Sequence, residues 1–272
     1  MDGQSAAAGR GLGASLTRLA LVTILPIIVA LLLSAAVLAA LGVDPIDYYA
    51  FVLRRGLTSW LGLQATLTRM APLLCLAASL IVAFRAGLWN LGIDGQFLLG
   101  AVFVGAAAQP LATVLPVPAV LLICAAIALA AGAVWSLLPA LLKAYQGVNE
   151  IITTLMMTFL GVSLANALVK LVFLDPETTV PQTRTLPVAD RLPRLFDTTI
   201  SSGLLWALAA VLLTHFVMTR TAFGLRLRTV GANPHAAAHA GLPVALLTVA
   251  VFAISAGFAG LAGASEILGV NG

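Results

Sequence analysis

The chain has 272 residues, of which 61% are hydrophobic and only 9% charged, with a mean hydropathy of +1.08. Soluble domains carry about 25% charged residues, so this chain cannot cover a globular surface and reads as a polytopic membrane protein. Basic residues outnumber acidic ones 14 to 10, but the arginines stand singly or in pairs at helix ends, which excludes the basic face of a nucleic-acid binder.

Residues 1–18 are small and polar and predict a disordered arm. Arg10 and Arg18 precede an apolar run at 19–43. That run exceeds the core of about 7–15 residues of a signal peptide and reads as a retained first span, with Pro26 kinking it. Residues 44–64 form a polar-aromatic connection in which Tyr48, Tyr49 and Trp60 anchor at the interface. The second span covers 65–84.

The stretch 85–95 breaks the pattern. Arg85, Asn90 and Asp94 alternate with Gly87, Gly92 and Gly95, and Gln96 follows. A crossing helix needs about 20 apolar residues, and the third span, 96–109, is shorter. One reading is an unwound glycine-rich lead-in at membrane depth, which must be packed in protein or line a water-filled cavity and in transporters points to the substrate path. The other is a short loop in which Asp94 caps the third helix.

The fourth span covers 117–142, and the fifth, 149–172, opens on Asn149-Glu150. Glu150, Thr154 and Thr158 recur every four residues and share one stripe, while Glu150 also suits the positive end of that helix. Residues 173–200, with four prolines, read as an ordered loop outside the membrane. The sixth span is 201–218 and the seventh 243–268. The seventh carries Gly257, Gly260 and Gly263, a spacing that lets helix backbones approach, and ends near Glu266, a functional carboxylate if it lies within the membrane. Cys75 and Cys124 fall inside apolar runs and read as buried thiols.

Between the last two spans lies 219–242, TRTAFGLRLRTVGANPHAAAHAGL, a polar stretch without an acidic residue. Asn233 is a good N-cap, Pro234 fits the first helical position and Gly241 the left-handed stop, which predicts a short helix at 233–241. So short a helix needs a partner surface. Its alanines 236, 237 and 240 form a smooth face suited to docking, although a solvated loop is the plainer alternative. His235 and His239 lie one turn apart with no third ligand, which argues against a metal site. With a cytoplasmic N-terminus, 85–95, 143–147 and 219–242 share the inner side, but seven Lys and Arg fall on either side, so charge leaves the orientation open.

FRAGLWNLGIDGQFLLGA, GVNEIITTLMMTFL and TAFGLRLRTVGANPHAAAHAGLPV, followed by FAISAGFAGLAGASEILGVNG, resemble the permease subunits of ABC importers. The resemblance covers about 65–272 and is to the simple-sugar and nucleoside branch, related to branched-chain amino acid permeases. Trp89 stands where the family pattern has Phe and Asp94 where it has Glu. Members of the family continue past the point where this chain stops, so the expectation is a chain incomplete at its C-terminus.

The resemblance implies an all-α transmembrane bundle of about seven spans in a bacterial inner membrane, with no cofactor of its own and ATP handled by a separate chain. No GxxxxGK[ST] phosphate loop is present. Implied partners are a cytoplasmic ATPase, a second permease subunit and an extracytoplasmic solute-binding protein. The loop matching 219–242 would hold the coupling helix, assigning ATPase coupling to Arg226, Arg228, Gly231, Asn233, Pro234, Ala237, Ala240 and Gly241. Asn90, Asp94, Gln96 and Asn149, with Glu150 and Glu266, are the substrate-path candidates, the first four expected to face a central polar cavity. The rival readings are an ion-coupled secondary transporter using Asp94, Glu150 and Glu266 as a relay, and a permease for branched-chain amino acids.

Overall fold

The computed structural model describes residues 20–176, 182–183, 192–195 and 198–271. The predicted N-terminal arm and most of the 173–200 loop lie outside them. All regular structure among the described residues is helical, and seven helices are long and apolar enough to cross a membrane.

The first compact unit runs to Leu63. After a π-helical turn at Ala20–Ile24, helix α1 (Leu25–Ala40) forms the first span. Its residues are exposed almost throughout, as expected of a helix meeting lipid. The 44–64 connection contains a helix the sequence reading missed, α2 (Pro45–Leu53). Asp44 caps it, accepting from the amides of Ile46 and Asp47, and Pro45 fills the first position, where no amide hydrogen is needed. The Tyr49 hydroxyl donates to the Leu31 carbonyl at 2.7 Å and ties α2 to α1.

The second unit begins at Gln64 and holds the remaining spans: α3 (Trp60–Arg85, entering from the first unit), α4 (Ile93–Ala112), α5 (Val117–Trp135) with α6 (Leu137–Gln146), α7 (Glu150–Leu171), α8 (Gly203–Arg220) and α11 (Val244–Glu266). Helix α11 is the central post. Its buried face takes in fourteen residues, most of them Ala, Gly or Ser. Side chains are absent where it crosses its neighbours: a Cβ at Gly100 would fall 2.5 Å from the Gly260 carbonyl, while Gly260 and Gly132 press on the backbones of Ala128 and Ala256. With no hydrophobic drive between helices in lipid, such close backbone packing is what holds them together.

Two spans and one connection differ from expectation. The third span is a full twenty residues, because Pro110 lies inside α4 and Asp94 sits in its first turn, where the helix end favours a carboxylate. The non-helical lead-in therefore shrinks to 86–92. The fourth span runs on to Gln146 with an offset at Ser136; Pro139 has no amide hydrogen for the Trp135 carbonyl, so the helix breaks there. Lastly, 219–242 contains two helices, α9 (Ala222–Ala232) and α10 (Pro234–His239). Among the described residues four glycines have positive φ, Gly42, Gly87, Gly147 and Gly241, and each follows a helix end as the left-handed residue that turns the chain away.

Candidate functional site

Helix succession brings 86–92, the α6–α7 corner and α9–α10 to one end of the second unit. The stop after α3 is a Schellman turn: Leu88 donates to the Ala83 carbonyl and Gly87 to that of Phe84, both at 3.0 Å. This turn directs Asn90 inward, where it is fully buried. Its amide nitrogen donates to Gln96 Oε1 at 3.0 Å and Ser255 Oγ at 3.1 Å. Its oxygen accepts from the Gly92 amide at 3.0 Å and Gln96 Nε2 at 3.2 Å. Ser255 also meets Ser79 of α3 at 3.1 Å. Next to it, the Leu91 amide donates to Thr154 Oγ1 and the Leu91 carbonyl accepts from Thr158 Oγ1. Two residues of irregular backbone are thus bonded to α4, α7 and α11, and through Ser255 to α3.

The buried groups here satisfy one another, as a low-dielectric site demands. The structure brings Asn90 and Gln96 together, but packed in protein and not facing a cavity as the sequence reading had it; an unwound segment admits either arrangement, and packing is the one adopted. Asp94 and Asn149 are exposed. Asn149 caps α7, accepting from the Ile151 amide at 2.9 Å. Glu150 is buried and pairs with Lys143 of α6 at 2.8 Å. Glu266 is half-buried on α11. The Gly100–Gly260 contact sets Glu266 level with Ala106, which is about 18 Å along α4 from Asp94 at 1.5 Å per residue. Asp94, Glu150 and Glu266 therefore do not form a relay. Ser79 and Ser255 were not foreseen; inside apolar runs, neither advertises a partner.

Helix α9 starts at Thr221, whose hydroxyl accepts from the Gly224 amide. It turns Leu227 and Val230 into a cluster with Val82, Ala86, Leu88, Met218 and Phe252. At its end Gly231 lies on the lead-in backbone: a Cβ there would fall 2.5 Å from the Arg85 carbonyl and 3.0 Å from the Gly87 amide nitrogen. Asn233 caps α10 as expected, accepting from the Ala236 amide at 3.0 Å, with Pro234 first in the helix and Gly241 beyond its end. The expected docking face needs one correction. Ala237 is fully buried in the same cluster, so it anchors α10 to its own bundle. A six-residue helix has to bury one side to persist. Arg226, Arg228, Pro234, Ala236 and Ala240 stay exposed, and a notch of about 420 Å³ between α9 and α10 is bordered by Leu225, Arg228, Asn233 and Ala236.

Residues 62–272 match the model of the branched-chain amino acid transport system permease component family. The chain belongs to that family. Among its relatives, this permease is 36% identical to a glucose ABC transporter permease protein of Haloferax volcanii, over 92% of its own length and 68% of the relative's. It is 34% identical to a guanosine ABC transporter permease protein of Bacillus subtilis, over 75% and 59%. It is 28% identical to a nucleoside ABC transporter permease protein of Lactococcus lactis, over 91% and 70%. The permease thus spans between about three-fifths and seven-tenths of the length of these relatives. No solved structure matches it.

Proposed function

We propose that this permease is the membrane subunit of an ATP-driven importer for an uncharged polyhydroxylated solute, a nucleoside or simple sugar. The names of its relatives support that solute class. In this reading a separate ATPase docks from the cytoplasm on α9–α10, the N-terminus is cytoplasmic, and a second permease and an extracytoplasmic binding protein complete the machine. The observation that carries it is the seat of α9–α10 on the non-helical lead-in. Push on α10, and the load passes through Ala237, Leu227 and Val230 into the cluster below and through Gly231 onto the 85–87 backbone. Asn90 bonds that segment to α4 and α11, while Thr154 and Thr158 bond it to α7. Motion at the surface is thereby delivered to three spans without a long lever.

The test is capture of the proposed partner ATPase by permease inserted in membranes. Ala236→Glu puts a charge on the exposed side of α10 and is expected to lower recovery about ten-fold, as loss of an interface anchor does. Ala237→Glu would bury the charge in the bundle and should lower the yield of folded permease instead. Wild-type recovery by a well-folded Ala236→Glu variant removes α10 from the mechanism.

A further inference from the structure

Helices α4 and α7 touch along one seam whose two ends differ. At the end near the buried network the backbones nearly meet: a Cβ at Gly95 would fall 3.2 Å from both the Met157 carbonyl oxygen and the Thr158 Cα, and 3.4 Å from the Gly161 Cα. The Trp135 indole closes that end further, donating to the Met157 carbonyl at 3.1 Å. Toward the opposite end Leu99, Val102, Ala165, Val169 and Phe173 pack between the helices, and two cavities follow one another along the seam. The first, about 310 Å³, lies against Val102, Asn166, Val169 and Lys170. The second, about 560 Å³, lies just past the end of α7, between Ala106, Gln109 and Thr113 on one side and Val172, Phe173 and Thr183 of the following loop on the other. Each is of ligand-pocket size, about 300–1,000 Å³.

The polar residues argue against a lipid-facing surface. Lys170 alone would mean little, since in the last turn of α7 it can reach the headgroups. Asn166 is a turn deeper, exposed, and among the described residues bonded only to its own helix through the Val162 carbonyl at 2.9 Å. An amide has no long stem with which to reach headgroups, and in hydrocarbon its remaining polar atoms would be unsatisfied. Gln109 and Thr113 add an amide and a hydroxyl on the facing helix. No carboxylate lines either cavity among the described residues, so the groove offers donors and neutral acceptors, suited to hydroxyls and not to a cation.

Resting on the importer reading, which turns this end away from the ATPase, we propose that the α4–α7 groove is the water-filled vestibule where a neutral polyhydroxylated solute enters, held by Asn166 and Gln109 and stopped below by the Gly95–Gly161 contact. The test uses intact cells making the full transporter and a membrane-impermeant maleimide. Cys75 and Cys124 are fully buried and keep the background low. Ala106→Cys and Val169→Cys should be labelled from outside, and guanosine or glucose should slow labelling at least about three-fold. Leu212→Cys, on the exposed face of α8, should stay unlabelled. Asn166→Ala should raise the KM for uptake of the protecting solute about ten-fold with little change in kcat, while Asn166→Gln recovers part of it. Cysteines that behave like Leu212→Cys, as under lipid or a second copy, overturn the proposal. So does labelling from the cytoplasmic side alone, or labelling that neither solute slows. Failure of the importer reading is separate: it appears as undiminished ATPase capture by Ala236→Glu, whatever the maleimide finds.

Discussion

Removing the Asn90 side chain tests how the lead-in is held. Asn90→Ala deletes four hydrogen bonds and leaves Gln96, fully buried, without either of its side-chain hydrogen bonds and the Gly92 amide without its acceptor. Interhelical hydrogen bonds in membranes average about 0.6 kcal/mol, with a maximum near 1.7; four such bonds give about 2–3 kcal/mol. Stranding buried donors costs about 1–3 kcal/mol on its own account, so the upper half of the range is expected. The assay is denaturant unfolding of purified permease in bicelles. Gln96→Ala should cost a similar amount, and the double variant markedly less than the two together, because each single change strands groups that the double removes. A loss under about 0.5 kcal/mol for Asn90→Ala, or strict additivity, would refute the claim that these side chains satisfy one another and pin the segment.

Three further outcomes follow. Gly231→Leu forces a side chain against the 85–87 backbone and should lift α9 off the lead-in; uptake driven by ATP should fall at least about ten-fold at unchanged membrane insertion, and wild-type uptake would discount the contact. Lys143→Met leaves Glu150 buried without its cation, only partly relieved by the start of α7. With the lysine side chain about a third exposed the loss should be about 1–2 kcal/mol, below that of a fully buried pair, and Glu150→Gln in the same chain should restore most of it. Among the described residues, the Thr214 hydroxyl is buried with no partner; Thr214→Val should cost nothing and gain up to about 1 kcal/mol, and a lower midpoint on heating would show the hydroxyl to be bonded.

The seven spans were legible because apolar runs of this length have one stable form in lipid, and 233–241 because Asn233, Pro234 and Gly241 are local signals that act through their own backbone. What escaped the sequence were outcomes decided by distant partners. Glycine-rich 86–92 told of irregular backbone but not of its surroundings, since Ser255 lies 165 positions from Asn90 in the chain. Ala237 looked like one alanine among several; the packing of Val82, Leu227 and Phe252 around it, not its chemistry, turns it inward. Helix α9 was hidden by its arginines, although Thr221 as cap and the spacing of Phe223, Leu227 and Val230 carry the pattern of an amphipathic helix. The α4–α7 groove had no signature at all, because Gln109 and Asn166 become neighbours of one seam only when two spans fold together.

The glycine crossings of α11 also bear on how the protein is made. Gly100 and Gly132 present bare backbone to a helix that is synthesised much later, since their partners are Gly260 and Ala256. Gly260 follows Gly100 by 160 residues and Ala256 follows Gly132 by 124, and at about 5–20 residues per second a ribosome needs roughly 6–32 s to supply them. For that interval α4 and α5 sit in the bilayer with their most closely fitting surfaces uncovered, so the nascent protein has its spans inserted well before it has a centre.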